Sequence, residues 1–567
     1  MANFPSSPGV NLNEIDNTFL TPLPVNVGAA IIGPTVKGPV ETPILVTSYS
    51  DYKNRFGGSL ISGSDSYTYF TSIAAYNYFN NGGESLLVAR VVSGSYISAT
   101  GSNVANSLNV ASSSFVLETL SEGVINNSTS PLTSNGSLTS GSDDNVRWEI
   151  SNANTGSGTF NLSIRRGNDT TANPIVLESF NNINLDPTST RYISRVIGDQ
   201  VLSYTTANNQ IDITSGTYQN ASRYIRIKSV SNATPNYFDN AGIAKTAFTG
   251  SIPVNGSGSF GSATGDVKAG ANFYDTIAAQ TQGLVEGNYT NMVNLFSNSD
   301  DYQFNVLLTP GLTNEDHTTT VSSIITNTQQ RGDSIYVMDT VGYSGTLTEA
   351  VTQANSRNTS YASTYWPWLR IQDPENGKRV WVPASVLIGG VYAFNDKVGN
   401  PWTAPAGIRR GGLSTVIRAK NKLSATNKEL LYSNNINPIN TFPKSGVVVF
   451  GQKTLQKEAS ALDRVNVRRL LIDLKSYIGQ FADNLVFEQN VTATRNNFLA
   501  QVNPFLESIQ QKNGLYAFRV IMDESNNTPD VIDRNQLVGQ IYIQPTRTAE
   551  FISLDFILLP TGAEFPS

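Results

Sequence analysis

The chain has no cysteine and only one histidine among its 567 residues. The first absence excludes disulfide staples, thiolate nucleophiles and Cys-ligated zinc or iron–sulfur centres. The second excludes a multi-histidine metal site, and any histidine-based triad would have to use His317. Charge is scarce too. Asp, Glu, Lys and Arg make up 14% of residues, against about 25% in ordinary globular proteins. Ser, Thr, Asn and Gly fill the gap, which favours strands, turns and polar loops over long solvated helices. No run approaches about 18 apolar residues, so no membrane insertion is expected. The opening Met-Ala-Asn-Phe-Pro has neither the basic nor the apolar region of a secretory leader. No P-loop, H-E-x-x-H or basic-aromatic nucleic-acid patch occurs, and no cofactor is expected.

What is present fits a large globular protein of several domains, long enough to bury a sizeable core. Its net charge of −6 argues against a nucleic-acid partner. That charge is unevenly spread. Residues 368–567 carry 22 Lys and Arg against 17 Asp and Glu, and residues 1–367 carry 16 against 27. A mildly basic C-terminal part suits an acidic protein partner; ordinary scatter of charge is the simpler reading.

Residues 1–25 form a Pro-, Asn- and Ser-rich arm in which Val10, Leu12, Ile15 and Phe19 could lie extended between prolines. An α/β unit follows over 26–94, with a strand at Val25–Ile32, helices at Tyr49–Phe56 and Tyr67–Phe79, and a buried strand at Leu86–Val92. Residues 95–265 then change character. They are dense in Ser, Thr, Asn and Gly with short alternating runs, the pattern of an inserted antiparallel β-rich domain. The α/β rhythm resumes over 266–366, where strands and helices alternate at lengths that predict βαβ crossovers. The region from Trp366 to Leu413 reads as strands and loops. Within 367–567 the pattern predicts helices at Leu455–Phe481 and Asn496–Gln511, and strands at Tyr516–Met522, Val538–Pro545 and Glu550–Leu559. On the first helix Val467, Leu470, Leu471, Leu474, Ile478 and Phe481 make one apolar stripe, with Arg464, Arg468, Arg469 and Lys475 largely off it. The fold class is therefore α/β (α+β) and multidomain.

Four motifs invite chemistry, and each has a plainer reading. Gly256-Ser257-Gly258-Ser259-Phe260-Gly261 fits G-x-G-x-x-G, but without the strand before it and the helix after it a loop is expected. His317 is expected at the surface at a helix N-terminus, with Asp316 as cap. Arg331-Gly332-Asp333 places Gly as a helix C-cap. The acidic run Asp523–Asp530 lacks the glycine and closing glutamate of an EF-hand, so a turn is expected.

Several blocks, taken in order, resemble the contractile tail sheath proteins of phages and related injection systems. They are Phe4-Pro5-Ser6-Ser7-Pro8-Gly9-Val10, Gly28–Pro34 with Lys37-Gly38-Pro39, and Trp366-Pro367-Trp368-Leu369 with Val382-Pro383-Ala384-Ser385. Gly389-Gly390-Val391-Tyr392-Ala393, Trp402–Gly407, Gly446–Leu455, Val465–Leu471 and Asn526-Asn527-Thr528-Pro529 complete the series. The resemblance covers about residues 1–94 and 270–565 and leaves the insertion unmatched. It implies a structural, non-enzymatic subunit that forms hexameric rings in a helical sheath around an inner tail tube protein. Baseplate and tail terminator proteins are the further implied partners, the virion the implied location and the host cytoplasm the place of assembly. By the same resemblance, Val10, Leu12, Ile15 and Phe19, and Phe551, Leu554, Phe556 and Leu558, would add strands to neighbouring subunits. Arg464, Arg468, Arg469 and Lys475 become candidate tube contacts. Two other readings remain at this stage: a nucleotide-binding or enzymatic α/β protein built on the 303–366 segment, and a secreted β-rich adhesin built on the insertion.

Overall fold

The computed structural model describes residues 27–102, 113–129, 132–266, 269–270, 272–277 and 279–552. Its centre is an eight-stranded sheet. The strands are β1 (Val27–Gly33), β2 (Ile44–Val46), β3 (Leu86–Arg90), β4 (Phe304–Thr313), β5 (Ile335–Asp339), β6 (Ala362–Trp366), β7 (Asn437–Phe442) and β8 (Gly446–Val449). They lie in the order β2-β3-β1-β4-β5-β6-β7-β8. Five successive pairings, from β3–β1 to β6–β7, are parallel, and the two outermost are antiparallel. The sheet thus takes in residues 437–449, well past the 303–366 alternation.

A parallel sheet must be covered on both faces, and the strand sequences alternate accordingly. Ala29, Ile31, Val306, Leu308, Ile335 and Val337 face one layer, with α1 (Phe70–Asn80) and α4 (Ser385–Val398) packed on them. Ala30, Ile32, Leu307, Tyr336 and Met338 face the other, under α2 (Thr318–Arg331) and α3 (Leu347–Asn355).

Helix α4 departs from the strands and loops expected between Trp366 and Leu413. Its Gly389-Gly390 pair is a poor local helix signal. The pair serves packing instead. A β-carbon on Gly389 would come within 2.6 Å of Leu308, and one on Gly390 within 2.8 Å of the Asn77 carbonyl. Only bare backbone lets α4 sit this close to both β4 and α1. The N-terminus of α4 is capped by Asp339, at the end of β5. The Ser385 amide donates to it at 3.1 Å and the Ser385 hydroxyl at 2.5 Å.

The insertion leaves and re-enters the core side by side, where the Ile97 amide donates to the Thr264 carbonyl. Its antiparallel strands enclose Phe115, Trp148, Phe160, Leu162 and Ile227. Gly256–Ser259 is an edge strand paired with Val146–Asn154, not a loop. Gly258 is required there because the Trp148 ring lies where its β-carbon would stand, 2.2 Å away. At the junction Lys37 donates to the Asp144 carbonyl, the Gly38 amide to Ser121 and the Val40 amide to Glu122, which stitches the insertion to the core.

The C-terminal layer contains α6 (Val465–Asp483), α7 (Thr492–Gln511) and a hairpin of β9 (Leu515–Ile521) and β10 (Gln540–Pro545). Helix α5 (Ala425–Ser433) precedes β7 in the chain. Leu470 and Leu474 of α6 pack with Phe498, Val502 and Leu506 of α7. Val465 and Ile472 of the same helix reach the main core instead. Helix α6 starts at Val465, ten residues later than the pattern predicts. The residues before it are irregular and end in a 3-10 turn at Ala461–Asp463, and the Leu455 amide ties them to the sheet by donating to the Ala362 carbonyl.

Asp339 supplies a test. Burial raises its carboxyl to about 7, although Ser385 donates to it twice. Unfolded, an aspartate titrates near 3.9, so between about pH 4 and pH 7 the folded state holds a proton that the unfolded state has released. Stability therefore falls as pH rises through that window. Asp339→Asn keeps an acceptor for the Ser385 amide and removes the titration. In urea unfolding, the variant should lose less stability than the parent on going from about pH 5 to about pH 8.

Candidate assembly surfaces

In the β9–β10 hairpin β10 alternates throughout, and β9 alternates from Phe518 to Val520, past an irregularity between Leu515 and Ala517. Phe518, Val520, Ile541 and Ile543 pack against the α6–α7 core, and Tyr516, Arg519 and Tyr542 face outward. A two-stranded ribbon is marginal alone, and packing on α7 supports this one. Among the described residues no third strand pairs with β9 or β10. Each strand therefore offers a row of unpaired backbone groups, an edge that a further strand can extend.

The segments expected to supply such strands flank the described body. Val10, Leu12, Ile15 and Phe19, and Leu554, Phe556 and Leu558, lie outside the described residues. Phe551 lies just within them. It is 83% exposed and its neighbour Ile552 is 78% exposed.

Immediately before them, Glu550 is held by three side chains from three parts of the chain. Arg464, at the start of α6, grips it with two nitrogens, Nε to Oε1 at 2.8 Å and Nη2 to Oε2 at 3.0 Å. The Tyr432 hydroxyl of α5 donates at 2.5 Å, and Gln452 Nε2 at 3.1 Å. Burial opposes the charged carboxylate, but these donors outweigh it and hold the Glu550 pKa below its ordinary value. No sequence spacing points to this cluster, because its partners lie 86 to 118 residues away.

The four candidate cations separate sharply. Arg468 is 4% exposed, lies over the Tyr361 ring at 3.9 Å and donates to Ser360. Arg469 is 3% exposed, lies over the Tyr392 ring at 4.7 Å and pairs with Asp396 of α4. Burial alone would lower the Arg469 pKa; Asp396 reverses this and raises it. Both guanidiniums are spent inside the subunit, because α6 is covered on two sides rather than one. Arg464 is committed to Glu550 and Asp463. Lys475 is the exposed cation of the four.

The remaining motifs resolve structurally. His317 is fully buried, not at the surface, and Nδ1 accepts from the Thr313 amide at 3.1 Å. It is the N-cap residue of α2, a position expected for Asp316, and burial lowers its pKa. Gly332 caps α2 in a left-handed conformation, and Arg331 donates to the Phe296, Asn298 and Tyr302 carbonyls. Asp523 accepts from the backbone and hydroxyl of Ser525 within a turn. No cluster able to hold a metal occurs among the described residues.

Open α/β sheets bind ligands outside the strand C-termini where the strand order reverses, here beside β1 and β4. That crevice is filled from within. Gln282 is buried there, and its Oε1 accepts the Phe70 amide at 3.0 Å, capping the N-terminus of α1 where a phosphate would otherwise sit.

Comparison with known proteins points to contractile tail sheath proteins. Residues 287–455 match the phage tail sheath protein central domain, and residues 457–558 the phage tail sheath C-terminal domain. Over 224 residues the chain is 38% identical to the tail sheath protein of Vibrio phage KVP40, covering 40% of this chain and 33% of that one. It is also 38% identical over 193 residues to the tail sheath protein of Enterobacteria phage T4, covering 34% and 29%. The matches thus span about a third of the length of these curated relatives. In fold, the chain is similar to the contracted helical sheath of the anti-feeding prophage, with TM-score 0.50, 15% identity and coverage of 98% and 99%. A sheath tail protein from Listeria innocua aligns with TM-score 0.51, 10% identity and coverage of 92% and 95%.

The contrast between α6 residues is directly testable. Asp396→Ala strands a buried guanidinium and should lower unfolding free energy by about 2–4 kcal/mol. Lys475→Ala should stay within about 0.5 kcal/mol of the parent, both read from urea midpoints.

Proposed function

Since the chain belongs to the contractile tail sheath family, we propose that it is a structural subunit polymerising as stacked hexameric rings around an inner tail tube. Contraction of that sheath drives the tube through the target cell envelope. The observation that supports this reading is the β9–β10 hairpin, with which no third strand pairs among the described residues, in a chain with apolar segments at 10–20 and 550–559. Each segment would add a strand to the hairpin sheet of a neighbouring subunit, with backbone hydrogen bonds for affinity and alternate side chains for register. Contacts of this head-to-tail kind propagate as open helices.

The mechanism is that of a one-shot spring. The extended sheath is kinetically trapped. On triggering, subunits rotate as rigid bodies while the exchanged strands keep them linked, and new lateral contacts supply the free energy. A tube contact falls to Lys475, the exposed one of the four candidate cations. Single exposed ion pairs of about 0–1 kcal/mol are weak enough to release one by one. Baseplate and terminator proteins bound the two ends of such a sheath, and its place is the virion tail. The filled crevice beside β1 and β4 weighs against the nucleotide-binding alternative.

Deleting residues 1–22, or ending the chain after Pro545, should leave a folded subunit that no longer forms tubes. Electron microscopy of the purified proteins reads the result. Tubes from either truncated chain would remove the strand-exchange reading.

A further inference from the structure

The chain from Pro545 to Phe551 is sewn to the body at alternate residues. The Thr546 hydroxyl donates to the Asn513 carbonyl at 2.7 Å, Thr548 Oγ1 receives Gln452 Nε2 at 2.6 Å, and Glu550 receives Arg464, Tyr432 and Gln452. The spacing of two is that of an extended chain with one face bound. Its last stitch is the strongest, because a two-pronged guanidinium–carboxylate contact outranks neutral hydrogen bonds. Beyond it Phe551 and Ile552 project into solvent.

We infer that Glu550 is the anchor of the C-terminal arm, fixing where and in which direction that arm leaves its own subunit to reach the next. The inference rests on the terminal-strand exchange proposed above. Without the anchor the last stitch is the one at Thr548. Two further residues of extended chain let the arm's origin wander over about 7 Å. Fixing the origin raises the effective concentration of the arm at a neighbouring hairpin edge. It also spares that ordering cost at assembly. The three donors come from α5, the segment after β8 and the start of α6. Tension on the arm would therefore pass into the central sheet and the C-terminal layer, instead of peeling β10 off β9.

The test uses full-length Glu550→Gln and Arg464→Gln, their double variant, and a chain ending after Ile552. The last keeps the anchor and loses the arm. Each single variant should melt as a monomer close to the parent. Each should raise the protein concentration needed for tube formation by about ten-fold, the size expected for one charged hydrogen-bonded pair. The double variant should be no worse than either single one, since both remove the same contact. If the chain ending after Ile552 still forms tubes, the strand-exchange reading fails whatever the point variants do. If it does not, and both point variants assemble at the parent's concentration, the anchor is refuted. If both point variants fail to fold, Tyr432→Phe is read in their place. A normal assembly threshold in that variant, or its failure to fold as well, makes the cluster a folding element and overturns the inference.

Discussion

Everything in this molecule depends on covering the central sheet. Five parallel pairings put hydrophobic side chains on both faces, and neither face tolerates water. The chain covers one face with α1 and α4 and the other with α2 and α3. It then uses α6 to join that core to the C-terminal layer. Because α6 serves two hydrophobic clusters at once, its flanks are buried, and Arg469 must find Asp396 and the Tyr392 ring inside the protein. A buried guanidinium is costly to hold, and for Arg469 the paired Asp396 offsets that cost.

The C-terminal layer is thereby locked to the sheet, while among the described residues neither edge of its hairpin pairs with a third strand. This division suits the proposed sheath role, in which subunits would rotate as rigid bodies while staying linked. Stiffness comes from the doubly covered sheet and from α6. Linkage is left to backbone groups that carry no side-chain chemistry. Open edges are normally a hazard. In the assembly proposed above they would be where subunits join, with the apolar terminal segments as the strands that cover them.

Much of the layout was readable in the chain itself. The helix Tyr49–Phe56 and the strand runs near 147–150 and 159–165 show their periods openly, and the structure has elements there. Gly332 announces a helix end because only glycine adopts that conformation cheaply. The errors share one cause. Helix α4 was hidden by Gly389-Gly390, whose value is in contacts with Leu308 and Asn77 that no local pattern encodes. His317 looks solvent-facing beside Asn314, Glu315 and Asp316, yet the turn folds it inward. Arg468 and Arg469 look like a solvated helix face because one apolar stripe is visible, while the second burial surface of α6 comes from the sheet.

The sequence by itself determined the α/β class, the β-rich nature of the insertion, the absence of cysteine and multi-histidine chemistry, and the two apolar terminal segments. Composition and periodicity are local properties, and local properties suffice for these. The tertiary structure decided which cations are free, which glycines are indispensable, that the ligand crevice is filled by Gln282, and that Glu550 is gripped by Arg464, Tyr432 and Gln452. Each of those outcomes depends on groups tens to hundreds of residues apart. Only burial of the shared sheet brings them within hydrogen-bond reach.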